Sequence, residues 1–293
     1  MLILQLIVDG FGKGAIYAAL ALAIVVANRS TGLINFAQGE FATLSAMFTV
    51  LLTSLGMNVW FALLIAVGVS FIGGAVVQFL LVRPVLKRAH VVQIMMTIGL
   101  YVVANAIGEI TFGPTPKPLA PLFPDGSFDV GGVRISYALV GVILLQVVVI
   151  TALSLFFART KLGLGFRAVA TAPEASRIVG IRVGRMHMVG WGLAAALGAV
   201  AGVSLTNLNV YVQPSMMTTV LVYSLAAVTI GGYDSAIGAI VGGVLMGVIE
   251  TLVTSLVPGF TAEAGMIVSL VVIVAVLLIR PQGLFGRERV SRA

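Results

Sequence analysis

Residues 160–187, TKLGLGFRAVATAPEASRIVGIRVGRMH, form a polar, basic interval between two apolar runs, and their placement decides how the chain is read. Lys161, Arg167, Arg177, Arg182 and Arg185, with Arg159 just before them, stand against one acid, Glu174. The runs on either side, 136–158 and 187–207, are each long enough to cross a hydrocarbon core of roughly 30 Å as a helix. A basic loop between two such runs points to a polytopic membrane protein with this loop in the cytoplasm. Thr171-Ala172-Pro173-Glu174 has the form of a helix start. Thr171 would cap it, Glu174 would reach back to the cap amide, and Pro173 costs no hydrogen bond in the first turn. Gly180 suits the left-handed position that ends a short helix. A short cytoplasmic helix over 171–179, offered to a partner, is therefore expected.

The rest of the composition agrees. Of 293 residues, 60% are hydrophobic and 9% charged, with a mean hydropathy of +1.15, which excludes an ordinary soluble domain. Nine runs qualify as spans: 2–27, 37–56, 60–82, 91–112, 136–158, 187–207, 216–231, 236–257 and 263–280. The seventh is short, so the fold class is an all-α polytopic membrane protein of about nine (8–10) spans in one domain, 1–293. With nine spans, 14 of the 17 Lys/Arg residues fall on one side, which puts the C-terminus in the cytoplasm. The net charge of +7 is then topological bias and not a nucleic-acid footprint. The longest external loop, 113–136, carries five prolines and is expected as a stiff, irregular cap, with a small strand over 130–136. Glycine pairs four apart, Gly198/Gly202, Gly238/Gly242 and Gly243/Gly247, favour close helix packing, within this subunit in preference to a subunit interface.

Soluble-enzyme motifs are missing. Without a phosphate loop this chain does not hydrolyse ATP itself. No His or Cys spacing suggests a metal, and no cofactor is expected. Gly163-Leu164-Gly165 reads as a flexible lead into the basic loop. Ionisable groups at membrane depth are functional candidates by default, because an unpaired one costs about 2.5–3.5 kcal/mol or more. Asp9 and Lys13, four apart, are expected to neutralise each other. Glu250 has no sequence-local partner and is a candidate for the translocation pathway; Glu109 and Asp234 lie nearer helix ends and read as interfacial. Asn35, Gln38 and Glu40, clustered in TGLINFAQGE, are pathway or gating candidates, set against the reading of a solvated cytoplasmic turn.

Glu174-Ala175-Ser176, three residues and then Gly180 resemble the EAA-x-x-x-G loop of ATP-binding-cassette importer permeases. Residues 32–40, GLINFAQGE, and 280–286, RPQGLFG, resemble the branched-chain amino-acid permeases, the LivH type most closely. The wider loop pattern of importers continues with I-x-L-P, which Gly190-Trp191 does not supply. This resemblance implies an inner-membrane permease subunit paired with a second, similar permease and two cytoplasmic ATPases that use ATP and magnesium. It also implies cargo delivered by a periplasmic binding protein. Thr171, Pro173, Glu174, Ala175, Ser176, Arg177 and Gly180 would then be the ATPase-coupling residues, with Arg182 and Arg185 open to anionic lipid headgroups. An ion-coupled carrier using Glu250, Glu109 and Asp234 is the rival reading, and urea or short amides are alternative cargo to Leu, Ile and Val.

Overall fold

The computed structural model describes residues 1–209, 211–257 and 262–286. Each expected apolar run is a helix: α1 Leu2–Thr31, α2 Gln38–Ser54, α3 Val59–Val77, α5 His90–Phe112, α6 Tyr137–Arg159, α9 Val183–Asn209, α10 Met216–Gly231, α11 Ala236–Leu256 and α12 Ala262–Ile279. A π-helical turn, Gln78–Val82, joins α3 to the short α4, Arg83–Val85. Among the described residues, six segments are both long and apolar enough to cross a membrane: Leu2–Thr31, Val59–Val85, His90–Phe112, Tyr137–Arg159, Val183–Leu208 and Ala236–Leu256. The fold is thus all-α and polytopic. Helices α2 and α10, with 17 and 16 residues, are shorter because both begin inside the bundle. The tail arginines Arg287, Arg289 and Arg292, used above for orientation, lie outside the described residues.

Helix α1 is the axis of the bundle. From Ile16 to Ala27 every side chain is buried, because other helices surround it and the small side chains of its alanines admit them. Its tightest neighbour is α11. A Cβ on Gly243 would overlap the backbone of Ala18, and one on Gly247 would overlap Gly14. Gly198 and Gly202 likewise lie on Gln38 and Ala42 of α2, and Gly238 and Gly242 on Gly231 and Ala227 of α10. The glycine pairs therefore serve packing inside the subunit. By contrast α3, α5 and α6 leave most of their surface uncovered, with 22, 17 and 28% of their most apolar windows buried.

The loop over 113–136 is more regular than its prolines suggest. Strand β2, Ser127–Val130, pairs with β3, Val133–Ser136, as an antiparallel hairpin. Lys117–Pro118 (β1) pairs with Tyr211–Val212 (β4), which ties this loop to the segment that leads into α10.

Candidate functional site: an exposed short helix and a buried polar junction

The basic interval is helical almost throughout. Thr160 leaves α6 in an extended conformation and its hydroxyl accepts from the Gly163 amide at 2.9 Å, which starts α7, Lys161–Thr171. The flexible lead expected at Gly163-Leu164-Gly165 is therefore corrected. Gly163 sits against the backbone of Phe156 and Phe157, where any side chain would overlap. Phe166 and Val169, three apart, bury the same face, and the Phe157 and Phe166 rings lie 4.8 Å apart. This one-sided burial is what holds an 11-residue helix to the bundle.

The expected cap is also corrected. Thr171 is the last residue of α7, and its hydroxyl donates back to the Arg167 carbonyl at 3.0 Å. Ala172 instead precedes α8, Pro173–Ile178, with no side-chain cap. Glu174 therefore has no cap amide to reach and accepts from Arg177 at 2.9 Å across the exposed face. The helix end is as expected. Gly180 has φ +85°, and the pairs Gly180 N–H to Arg177 O, 3.0 Å, and Ile181 N–H to Ser176 O, 2.9 Å, form a Schellman closure. Ser176 is buried and anchors α8, whereas Pro173, Glu174, Ala175 and Arg177 are exposed. Two apolar residues missed in the sequence complete the outer face: Ile178 and Val179 are 87 and 74% exposed.

The second constellation is internal. Asn35, Gln38 and Glu40 are all at most 1% exposed, so they do not form a solvated turn. Asn35 accepts from the Ala37 amide at 3.1 Å and donates to Gln38 at 3.2 Å, and Gln38 donates to the Ala194 carbonyl at 2.8 Å. Glu40 accepts from Thr218 at 3.0 Å and Asn105 at 3.3 Å. Asn105 also donates to Ser215 at 2.6 Å. Ser215 has φ +61°, the one positive value at a non-glycine position among the described residues. Gly39 lies directly on the Met217 carbonyl. Ala194 and Asn105 lie well inside α9 and α5, so α2 and α10 both start at membrane depth, with their first turns in contact. Irregular backbone at that depth survives only where protein or a cavity satisfies it. Here Asn35 satisfies the Ala37 amide, Gln38 ties the break to α9, and Asn105 links Glu40 to Ser215 side chain to side chain. Of the missed members, Asn105 was visible only as a lone amide in an apolar run; nothing local marks Ser215 or Thr218.

Glu250 stands apart from this group. Its carboxylate accepts from Lys13 Nζ at 3.1 and 3.2 Å and from Thr251 at 3.3 Å. The expected Asp9–Lys13 pair is not made. The α1–α11 glycine contact carries Lys13 onto Glu250, while Asp9 accepts from Gln5 at 3.1 Å. Tyr17 and Tyr223, stacked 5.0 Å apart, come from helices that pack beside this pair. Glu109 is exposed, and the Asp234 carbonyl accepts from Arg29. No group of three or more His, Asp or Glu is placed to hold a metal among the described residues.

Residues 6–277 match the family described as branched-chain amino acid transport system / permease component. The chain belongs to this family. It is a transporter permease component and not an enzyme. It is 28% identical over 304 residues to the high-affinity branched-chain amino acid transport system permease protein BraD of Pseudomonas aeruginosa, with 99% of this chain and 97% of BraD covered. The probable branched-chain amino acid transport permease protein LivH of Methanocaldococcus jannaschii is 29% identical over 286 residues, with 91 and 87% covered. In shape it resembles a chain of PsaBC from Streptococcus pneumoniae, solved in complex with Fab. The TM-score is 0.51, with 94% of this chain and 91% of that chain covered; at 9% identity this likeness concerns the fold alone.

Proposed function

We propose that this permease imports branched-chain amino acids, Leu, Ile and Val, delivered by a periplasmic binding protein. In this reading it works beside a second, related permease and two ATPases. The observation that carries the energy-coupling half is α8. A six-residue helix, anchored by Ser176 and closed by Gly180, projects Glu174, Arg177, Ile178 and Val179 outward. A lever needs such a rigid root and an unoccupied tip. The nine helical segments α1, α2, α3 with its π turn, α5, α6, α9, α10, α11 and α12 are taken as nine passes, which places α7, α8 and the C-terminus in the cytoplasm. Asn35, Gln38 and Glu40 are read as pathway residues, because the helix breaks they stabilise lie at the depth where transporters hold cargo. Glu250, paired with Lys13, is a structural member of its wall.

The test is reconstitution of the permease pair with its ATPases and binding protein in proteoliposomes. Leucine uptake that requires ATP and the binding protein is expected. Uptake that persists without ATPases, driven by a proton or sodium gradient, overturns the reading in favour of an ion-coupled carrier.

A further inference from the structure

A cavity of about 2220 Å³ opens on the side of the bundle that carries α7 and α8. Its inner wall is apolar, built from Leu22 and Val26 of α1, Leu153 and Phe157 of α6, and Phe166 and Val169 of α7. Its rim is basic. Arg177 at the rim is paired with Glu174, and Arg29 reaches the Asp234 carbonyl. Arg83, Lys87, Arg167 and Arg182 also line the cavity, all four are exposed, and among the described residues none has an acidic partner within ion-pair distance. Arg83 lies over the Phe79 ring, 5.5 Å from its centroid, which fixes its guanidinium without neutralising it. Arg185 and Lys161, in the same basic interval, do not line the cavity.

Basic loops on the cytoplasmic side satisfy topology wherever the cations point. Topology alone does not gather four cations without acidic partners, from α4 and the turn after it, from the middle of α7 and from the residue before α9, around one concave apolar wall. The occupant that fits both surfaces is an amphiphile with an anionic head. We infer that this cavity holds an anionic phospholipid of the inner leaflet, its phosphate among Arg83, Lys87, Arg167 and Arg182 and an acyl chain along the α1–α6–α7 wall. A basic pocket between membrane helices with an apolar floor recognises such headgroups by charge and the chain by burial. Seated there, the lipid also braces α7, the root of α8, against α6. The inference rests on the cytoplasmic orientation proposed above but not on the identity of the cargo.

The experiment uses the full complex purified from membranes and then placed in nanodiscs of phosphatidylcholine with or without phosphatidylglycerol. Lipid retained by the complex is measured by native mass spectrometry for the unaltered chain, for Arg167→Gln with Arg182→Gln, and for Arg185→Gln. The unaltered complex is expected to retain phosphatidylglycerol in preference to phosphatidylcholine. The double variant should weaken this by roughly thirtyfold, about fivefold per cation removed, and Arg185→Gln should leave it unchanged. A loss of about fivefold in Arg185→Gln, the same per cation as in the double variant, would mean that only the total loop charge matters and would overturn the site. So would competition by inorganic phosphate as effective as that by phosphatidylglycerol, because a free anion has no use for the apolar wall. A wrong assignment of cargo would appear only as absent leucine uptake, with lipid retention unaffected.

Discussion

Removing either partner of the Lys13–Glu250 pair is expected to have unequal consequences, and the inequality tests how the pair is built. The carboxylate side chain is 6% exposed and the lysine side chain 40%. Lys13→Met strands a buried carboxylate with no cation beside it, left to hydroxyl donors such as Thr251 at 3.3 Å. Breaking a fully buried pair from one side costs about 3–5 kcal/mol. The lysine end is only partly covered by the chain, so a discounted value of about 2 kcal/mol is the expectation. For a chain of this size that is about 4 °C in apparent Tm. Glu250→Gln keeps a hydrogen-bonding side chain opposite the flexible, part-exposed Lys13, so a smaller loss than for Lys13→Met is expected. The combined Lys13→Met, Glu250→Met variant should recover most of the lysine variant's loss, because two apolar side chains replace two mutually dependent charges. The assay is thermal unfolding of the permease in nanodiscs at fixed lipid composition, with single and double variants closing a cycle. Equal losses for the two single variants, or a double variant worse than Lys13→Met, would refute the asymmetry.

Three further outcomes follow from the geometry. Ile178→Asp with Val179→Asp should abolish co-purification of the ATPases while leaving the permease's Tm unchanged, because both side chains are already exposed. Glu40→Ala should cost about 1–3 kcal/mol for each of the donors, Asn105 and Thr218, left unpaired, whereas Glu40→Gln keeps an acceptor and costs less; thermal unfolding separates the two. Gly243→Leu should prevent recovery of monodisperse permease in size-exclusion chromatography, because its side chain overlaps the Ala18 backbone. Gly73→Leu, with open space at its Cβ, should behave as the unaltered chain.

The helices were legible because apolar length is a local property, and the lipid-crossing requirement writes it into consecutive residues. The run expected over 216–231 coincides with α10 to the residue. The end of α8 was legible for a similar reason: a left-handed glycine closes a helix with bonds to residues a few positions away. Its start was not. Thr171 fits a cap by spacing, but Thr160 had already started α7, and burial of Phe166 and Val169 carries that helix through to Thr171. Spacing along the chain cannot say which of two neighbouring threonines begins a helix when tertiary packing decides it. Lys13 had two carboxylates to choose from. The sequence displays the one four residues away, whereas the contact of α1 with α11 supplies the other, 237 positions distant. The polar junction was half visible. Asn35, Gln38 and Glu40 stand together in the chain, but Asn105, Ser215 and Thr218 reach them only through the fold.

The meeting of α1 with α11 has a consequence for how the sequence is free to vary. Where most helix pairs are separated by side chains that absorb a change by adopting another rotamer, here backbone rests on backbone at Ala18 and Gly243 and at Gly14 and Gly247. There is no smaller residue than glycine to retreat to, so an enlargement on one helix cannot be compensated by a reduction on the other. The two helices are obliged to drift together or not at all. In the function proposed above, motion delivered by α8 is taken up at other contacts, with this pair as the fixed post against which they swing.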